Sequence, residues 1–165
     1  MIPLSISKIQ KEITQGITID LLNNLVKTNN DRLLGYKTAS TETDEQELHS
    51  TFAEFALSSQ LCRQELINEI ISLGGKPTDR AKISGIIFRA WMDIKATLTG
   101  RDLGPIIDSC ESLEETAIGT YRKALRIGTG LLSTEQLAMI TAHISLLKSD
   151  HNRLAFMRNV MVIAE

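Results

Sequence analysis

The sequence is poor in the residues that interrupt regular backbone structure. It has only three prolines, Pro3, Pro77 and Pro105, and each falls beside a predicted helix boundary. Glycines cluster at 74–75 and 128–130, between long stretches whose apolar residues recur at steps of three and four. Segments that alternate apolar and polar residues, which are typical of strands, are absent. We therefore predict an all-α protein.

Cysteines, long apolar runs and concentrated charge are also scarce. The two cysteines, Cys62 and Cys110, are far apart, which favours reduced packing thiols in the cytoplasm over a disulfide. No apolar run approaches the roughly 20 residues needed to cross a bilayer, and Met1–Glu12 lacks the pattern of a signal peptide. The net charge is −2 and the charged residues are dispersed, which argues against a nucleic-acid groove or an anionic membrane surface. We expect a cytoplasmic protein that binds neither nucleic acid nor membrane.

Four long segments have the apolar periodicity of amphipathic helices. They run from about Thr18 to Thr41, from Asp44 to Leu73, from Asp102 to Arg126, and onward from Ser133. Short loops join the first to the second and the third to the fourth, which predicts two antiparallel hairpins. The hairpins are separated by roughly 28 residues, and a shorter helix is predicted there at Ile83–Leu98. This order indicates a ferritin-like antiparallel four-helix bundle with one long crossover that contains a short helix.

Two further features concern the ends of these segments. Ser133 and Gln136 have the spacing of a capping box at the start of the last helix. Residues 1–16 are interpreted as an N-terminal extension, in which Ser7–Gln15 forms a short amphipathic piece across one bundle end. Residues 17–165 then form the bundle domain.

Polar residues interrupt the apolar stripe near the middle of each long helix. They are Asn29, then Ser59 and Cys62, then Glu111 and Glu114, and finally His151. Di-metal proteins of the ferritin-like kind need a Glu from each of two helices and a Glu-x-x-His from each of the other two. Here Ser59-x-x-Cys62 and Lys148-x-x-His151 stand in the Glu-x-x-His places, and Asn29 in a Glu place. That leaves too few carboxylates for a dinuclear oxidase.

Two interpretations of this polar strip remain open. Glu111, Glu114 and His151, with Cys62 as a conceivable fourth ligand, could hold a single weakly bound metal ion. Alternatively, the three residues form a structural polar cluster with Asn29, Ser59 and Cys62, in which Lys148, Arg63 or His151 pairs with the glutamates. We favour the structural cluster and expect no cofactor.

Several motifs together resemble a known bacterial family. The motifs are Asn29-Asn30-Asp31-Arg32 with Gly35-Tyr36, Leu73-Gly74-Gly75-Lys76-Pro77, Arg89-Ala90-Trp91-Met92-Asp93-Ile94-Lys95 with Leu98-Thr99-Gly100, Cys110-Glu111 with Glu114 and Tyr121, and Asp150-His151-Asn152-Arg153. Over about 21–157 the chain resembles a family of small ferritin-like four-helix-bundle proteins catalogued as a domain of unknown function. The resemblance implies a ferritin-like fold in a bacterial cytoplasm without an established activity. Relatives by fold include rubrerythrin-type proteins and others linked with stress.

These observations lead to competing functional hypotheses. The first is a non-catalytic helical bundle with a stress-associated or interaction role. It would form a homo-dimer through the apolar segment Ile86–Leu98. The second is a metal-binding protein, for iron, manganese or zinc, with the reduced carboxylate and histidine site. A third is binding of an apolar ligand within the bundle.

Overall fold

The computed structural model describes residues 2–43, 45–81 and 104–164, which contain four long α-helices and no strand. Helix α1 spans Ile2–Glu42 and α2 spans Gln46–Ser72. Helix α3 spans Gly104–Gly128 and α4 spans Thr134–Ala164. The all-α prediction is confirmed. The predicted helix at Ile83–Leu98 lies outside the described residues.

The helices form two antiparallel hairpins, α1 with α2 and α3 with α4, which pack against each other through α1–α3 and α2–α4 contacts. Gly74 follows the C-cap of α2 and Gly130 lies in the α3–α4 turn, and both glycines have positive φ (77° and 81°), where a side chain would be strained. At the start of α4, the Ser133 N–H donates to Oε1 of Gln136 (2.9 Å) and the Gln136 N–H donates to Oγ of Ser133 (3.1 Å). The predicted capping box is thus confirmed.

The segment that follows α2 runs back along α1 and is held there by two asparagines. Nδ2 of Asn23 donates to the Lys76 carbonyl (3.0 Å), and Oδ1 of Asn23 accepts from the Thr78 N–H (2.9 Å). About two turns further along α1, Nδ2 of Asn30 donates to the Arg80 carbonyl (2.9 Å). The connection between the hairpins therefore begins as an extended strap on the outside of the bundle, not as a tight turn.

Two apolar clusters fill the bundle, one toward each end. The first includes Leu22, Leu25, Leu66, Ile70 and Ile140, and the second includes Phe52, Phe55, Ile106, Ile107 and Leu154. Each fully buried side chain of this size contributes about 1.5–3 kcal/mol relative to an exposed one. Between the clusters lies a layer of buried polar and charged side chains. The apolar clusters hold the four helices around this layer.

The N-terminal segment differs from the prediction. Instead of a separate piece across the bundle end, residues Ser7–Gln15 continue α1 without a break, and Ile9 and Ile13 are exposed. The only helix-disfavouring residue at the expected break is Gly16, which costs about 1 kcal/mol in a helix and is too weak alone to end one. The domain boundary after residue 16 remains a prediction. None of the described helices is both long and apolar enough to cross a membrane.

Candidate functional site

The centre of the buried polar layer is occupied by the guanidinium of Arg32, which is 3% exposed. Its Nε and Nη2 donate to Oε1 of Glu114 from α3 at 3.1 and 3.0 Å. The same Nη2 donates to Oδ2 of Asp150 from α4, also at 3.0 Å. A single side chain of α1 is therefore bound to carboxylates on both helices of the other hairpin. Charge-assisted contacts of this kind are the strongest hydrogen bonds that side chains form.

The Glu114 carboxylate has a third donor. The hydroxyl of Tyr36 donates to Oε1 of Glu114 at 2.6 Å. Tyr36 packs between Phe52 (stacked, ring centroids 5.9 Å apart) and Phe55 (edge-on, 5.2 Å), so these rings restrict its position. Oε1 of Glu114 thus accepts three hydrogen bonds. Oε2 is buried and accepts none from the described residues.

A chain of hydrogen bonds leads from Arg32 to the surface of α2. Nη1 of Arg32 donates to Oδ1 of Asn29 (3.2 Å), and Nδ2 of Asn29 donates to the hydroxyl oxygen of Tyr121 (2.6 Å) and to a backbone carbonyl. The Tyr121 hydroxyl lies 3.2 Å from Nδ1 of His143. Nε2 of His143 lies 2.6 Å from Oε2 of the half-exposed Glu65. All four helices contribute to this network.

Burial and charge shift the pKa values of these groups. Burial alone would lower the pKa of Arg32, but the carboxylates of Glu114 and Asp150 outweigh it and the net pKa is raised. Burial, with the charge of Glu114, raises the pKa of Tyr36. Burial raises the pKa of Asp150 to about 6, although Arg32 acts in the opposite direction. Burial lowers the pKa of His143 below 6.5. At neutral pH, Arg32 is therefore charged while Tyr36 and His143 are neutral.

The three predicted metal ligands have separate partners. Glu114 binds Arg32, as described above. Glu111 accepts from Nη1 of Arg158 (2.5 Å). His151 is partly exposed, and its Nε2 lies 3.2 Å from Oε1 of the exposed Glu115. Because each side chain faces a different partner, the proposed ligand set stays a prediction that metal loading must test.

The other predicted members of the polar strip divide in the same way. Asn29 joins the Arg32 network, whereas the Ser59 hydroxyl donates to a carbonyl of its own helix, that of Phe55 (2.7 Å). Cys62 is a buried free thiol in the first apolar cluster, and burial raises its pKa to about 12. Lys148 is exposed and Arg63 bonds Asn30, so neither is the partner of the glutamates.

Sequence reasoning missed Arg32 as the central cation, and also Asp150 and His143. On α1, Arg32 lies three residues after Asn29 and four before Tyr36, a spacing that places it on the same face. On α4 the predicted positions 140, 144, 147 and 154 are buried, and so is His143, which the prediction left out. Asp150 and His151 are neighbours and both are partly buried, so helical periodicity alone does not decide which of them faces the layer. A count of opposite charges across the layer would have favoured Asp150 as a partner for Arg32.

Comparison with solved structures defines the class of protein. The chain is similar to a structure described as ferritin like, diiron-carboxylate proteins from Bacillus anthracis str. Ames, with a TM-score of 0.70, 17% identity, and coverage of 88% of this chain and 97% of that one. It is also similar to Dps from Thermosynechococcus elongatus, with a TM-score of 0.69, 15% identity, and coverage of 90% and 94%. At these identities the likeness shows the fold, which is that of a ferritin-like four-helix bundle.

The sequence places the chain within a particular family. The model of the family described as "Domain of unknown function (DUF2383)" matches residues 17–127. The chain belongs to this family, as the resemblance in its motifs indicated. No curated protein sequence matches the chain significantly.

A dinuclear carboxylate centre does not fit the residues in the described part of the layer. Such a centre needs four carboxylates and two histidines that converge on the metals. Here the layer offers Glu114 and Asp150, and the cation between them is the guanidinium of Arg32. Glu111, on the next turn of α3, is paired with a different arginine, Arg158. Within residues 2–43, 45–81 and 104–164, no three His, Cys, Asp or Glu side chains are grouped so that they could hold a metal ion.

Proposed function

We propose that the protein is a non-catalytic ferritin-like bundle whose central layer is a metal-independent ion-pair network, and that it has a stress-associated or interaction role. The observation that supports the proposal is the position of Arg32 between Glu114 and Asp150, both at 3.0 Å. In this arrangement an arginine of the chain supplies the positive charge that the two carboxylates require.

Electrostatics makes the network a poor binding site for a metal ion. Oε1 of Glu114 already accepts from two nitrogens of a buried guanidinium, so a divalent cation at Oε1 would have to displace that guanidinium, and one at Oε2 would be repelled by its fixed positive charge. Removal of one partner from a buried ion pair typically costs about 3–5 kcal/mol, because the other charge is left uncompensated. Displacement would also break the contact of Arg32 with Asp150. The network therefore favours a fixed arrangement of α1, α3 and α4 over ion binding.

Metal loading of the untagged protein tests this proposal. The full chain is incubated with iron(II), manganese(II) or zinc(II), desalted, and measured by elemental analysis and by thermal melting. We expect substoichiometric metal and an unchanged melting temperature for each ion. Stoichiometric metal that raises the melting temperature and is lost in Glu114→Gln would contradict the proposal. Glu54→Gln, in the exposed pair with Arg153, is the control for general loss of a carboxylate.

A single metal ion at Glu111, Glu114 and His151 is the alternative function. It is favoured by two buried carboxylate oxygens on adjacent turns of α3, Oε1 of Glu111 and Oε2 of Glu114, neither of which accepts a hydrogen bond from the described residues. Unsatisfied buried oxygens are expensive and call for an explanation. Stoichiometric metal that disappears in His151→Ala would establish this alternative. If His151→Ala only lowers the melting temperature, the result would support a structural polar cluster.

The biological setting forms part of the proposal. Both cysteines are buried free thiols, which is compatible with a reducing bacterial cytoplasm. The apolar sequence of Ile86–Leu98 is proposed as a homo-dimer contact. Light scattering of the untagged protein at high micromolar concentration tests this contact, because a monomeric mass under those conditions would exclude it.

A further inference from the structure

The N-terminal part of α1 carries an apolar face that no described element covers. Ile6, Ile9, Ile13 and Ile17 are 57%, 55%, 58% and 42% exposed. On a helix of 3.6 residues per turn, their spacing of three, four and four places them within one narrow arc. Ile2 has the preceding position of the same spacing. We call the residues Ile6, Ile9, Ile13 and Ile17 the isoleucine stripe.

Ile6, Ile9 and Ile13 of the stripe lie on a part of α1 that extends past the end of α2. The side chain of Gln15 donates to the carbonyl of Leu73, the residue at the end of α2. Residues 2–14 of α1 continue beyond this level for roughly 20 Å, at 1.5 Å per residue. This segment also lies outside residues 17–127, the part of the chain that matches the family model.

The polar side of this segment is no better covered than its apolar side. Lys11 and Thr14 border an open cleft whose other wall includes Leu131 and Ser133 of the α3–α4 turn, and residues 5–13 are all exposed. Surface helices normally turn their apolar face inward, because burial of apolar area is the main source of their stability. The isoleucines of this segment are not buried against the described residues, so their apolar face is available to a partner.

We propose that the isoleucine stripe is a self-association surface, on which the stripe of a second copy of this chain packs. No charged residue interrupts the arc between Ile6 and Ile17, and Lys8 and Lys11 lie on the opposite side of the helix. Two stripes can therefore meet without opposing like charges. Alternating steps of three and four are also the spacing by which apolar helices pack side by side.

Charge and size specify this contact further. Helices that bind an anionic membrane surface carry several lysines or arginines on the polar face, and aromatic residues or leucines on the apolar face. The segment has only two lysines, one of them followed directly by Glu12, and no aromatic residue. The stripe is roughly 17 Å long on a helix about 10 Å wide. That footprint is well below the approximately 800 Å² per partner of a standard stable interface, so the pairing is weak and reversible.

Sedimentation of the full chain across low to high micromolar concentrations tests the proposal. We expect the average mass to rise with concentration, and we expect Ile9→Gln with Ile13→Gln to weaken this association by at least about tenfold. Ile127→Gln is the matched control, because Ile127 is equally exposed (51%) but lies at the end of α3. Since all three positions are exposed, the melting temperatures should remain the same.

Two outcomes would overturn the inference. The first is an average mass that does not depend on concentration, or a concentration dependence that the double variant and Ile127→Gln alter to the same extent. The second is flotation with phosphatidylserine-containing vesicles that is lost in the double variant while self-association is unchanged. The second result would assign the stripe to a lipid surface.

Discussion

Arg32 and Glu114 are joined by two hydrogen bonds that end on a single carboxylate oxygen, with Nε 3.1 Å and Nη2 3.0 Å from Oε1. This is not the parallel fork in which each guanidinium nitrogen faces its own oxygen. The same Oε1 also accepts from Tyr36, and the same Nη2 also donates to Asp150. One arginine therefore connects three helices, and the stability of the bundle should depend on it.

Arg32→Met should destabilise the protein by about 3–5 kcal/mol, because it leaves two carboxylates in the core without their cation. Urea unfolding followed by circular dichroism measures the loss. In the double variant with Glu114→Gln, the total loss should be smaller than the sum of the two single losses, since one uncompensated charge is then absent.

Arg153→Met is the control for the Arg32 measurement. Arg153 also pairs with a glutamate, Glu54, but both side chains are about half exposed. Exposed pairs contribute about 0–1 kcal/mol. If the two arginine variants lose the same amount of stability, the layer is not held by its ion pairs.

The directions of the hydrogen bonds predict the tautomer of His143. Arg32 can only donate, so Oδ1 of Asn29 accepts and Nδ2 donates to the Tyr121 oxygen. The Tyr121 proton is then directed at Nδ1 of His143, and the imidazole proton must reside on Nε2, facing Glu65. Nitrogen-15 NMR of the imidazole should show a protonated Nε2 and a bare Nδ1 at neutral pH.

Tyr121→Phe provides the comparison for this assignment. It removes the only described donor to Nδ1 and leaves Glu65 in place. The Nδ1 signal should then shift, while the other two histidines remain unchanged. A protonated Nδ1 in the unmodified protein would mean that the chain of donors does not run from Arg32 to Glu65.

The two buried cysteines should be unreactive in the folded protein. Burial raises the pKa of Cys62 to about 12 and also raises that of Cys110, so the reactive thiolate is rare and poorly accessible. We expect a thiol reagent to label both residues only at the rate of global unfolding, accelerating with urea as unfolding does. Rapid native labelling of either one would show that its helix opens locally. Full labelling of both in denaturant is the control.

The architecture could be predicted from the sequence because several independent signals agree on it. Helical periodicity, the positive-φ glycines that end segments, and the capping box of Ser133 and Gln136 each depend on local chemistry. The N-terminal segment was less predictable. Its apolar spacing correctly indicated a helix, but spacing cannot tell whether the apolar face meets the same molecule or another one.

The contacts inside the polar layer were harder to predict, because local sequence does not determine which side chains pair across helices. Glu114 was identified as buried and polar, yet its partner Arg32 is 82 positions away in sequence. On α4 a shift of one residue exchanges Asp150 for His151, and periodicity tolerates both. Only the packed arrangement of four helices decides which of them faces Arg32.

The stability of the bundle should decrease as pH rises from about 4 to about 6 through the titration of Asp150. Its ordinary pKa is 3.8, and burial raises the pKa to about 6 in the folded protein. Between these values the folded state binds a proton that the unfolded state does not, so deprotonation costs folding free energy. Asp150→Asn cannot titrate at this position.

The difference in unfolding free energy between the unmodified protein and this variant should therefore fall over that range and level off above it. His143 acts in the opposite direction, since its lowered pKa makes the unfolded state bind protons as pH falls below 6.5, but it is present in both proteins and cancels. Urea midpoints measured from pH 4 to 8 give the difference. A difference that rises with pH would show that the charge of Arg32 outweighs burial at Asp150.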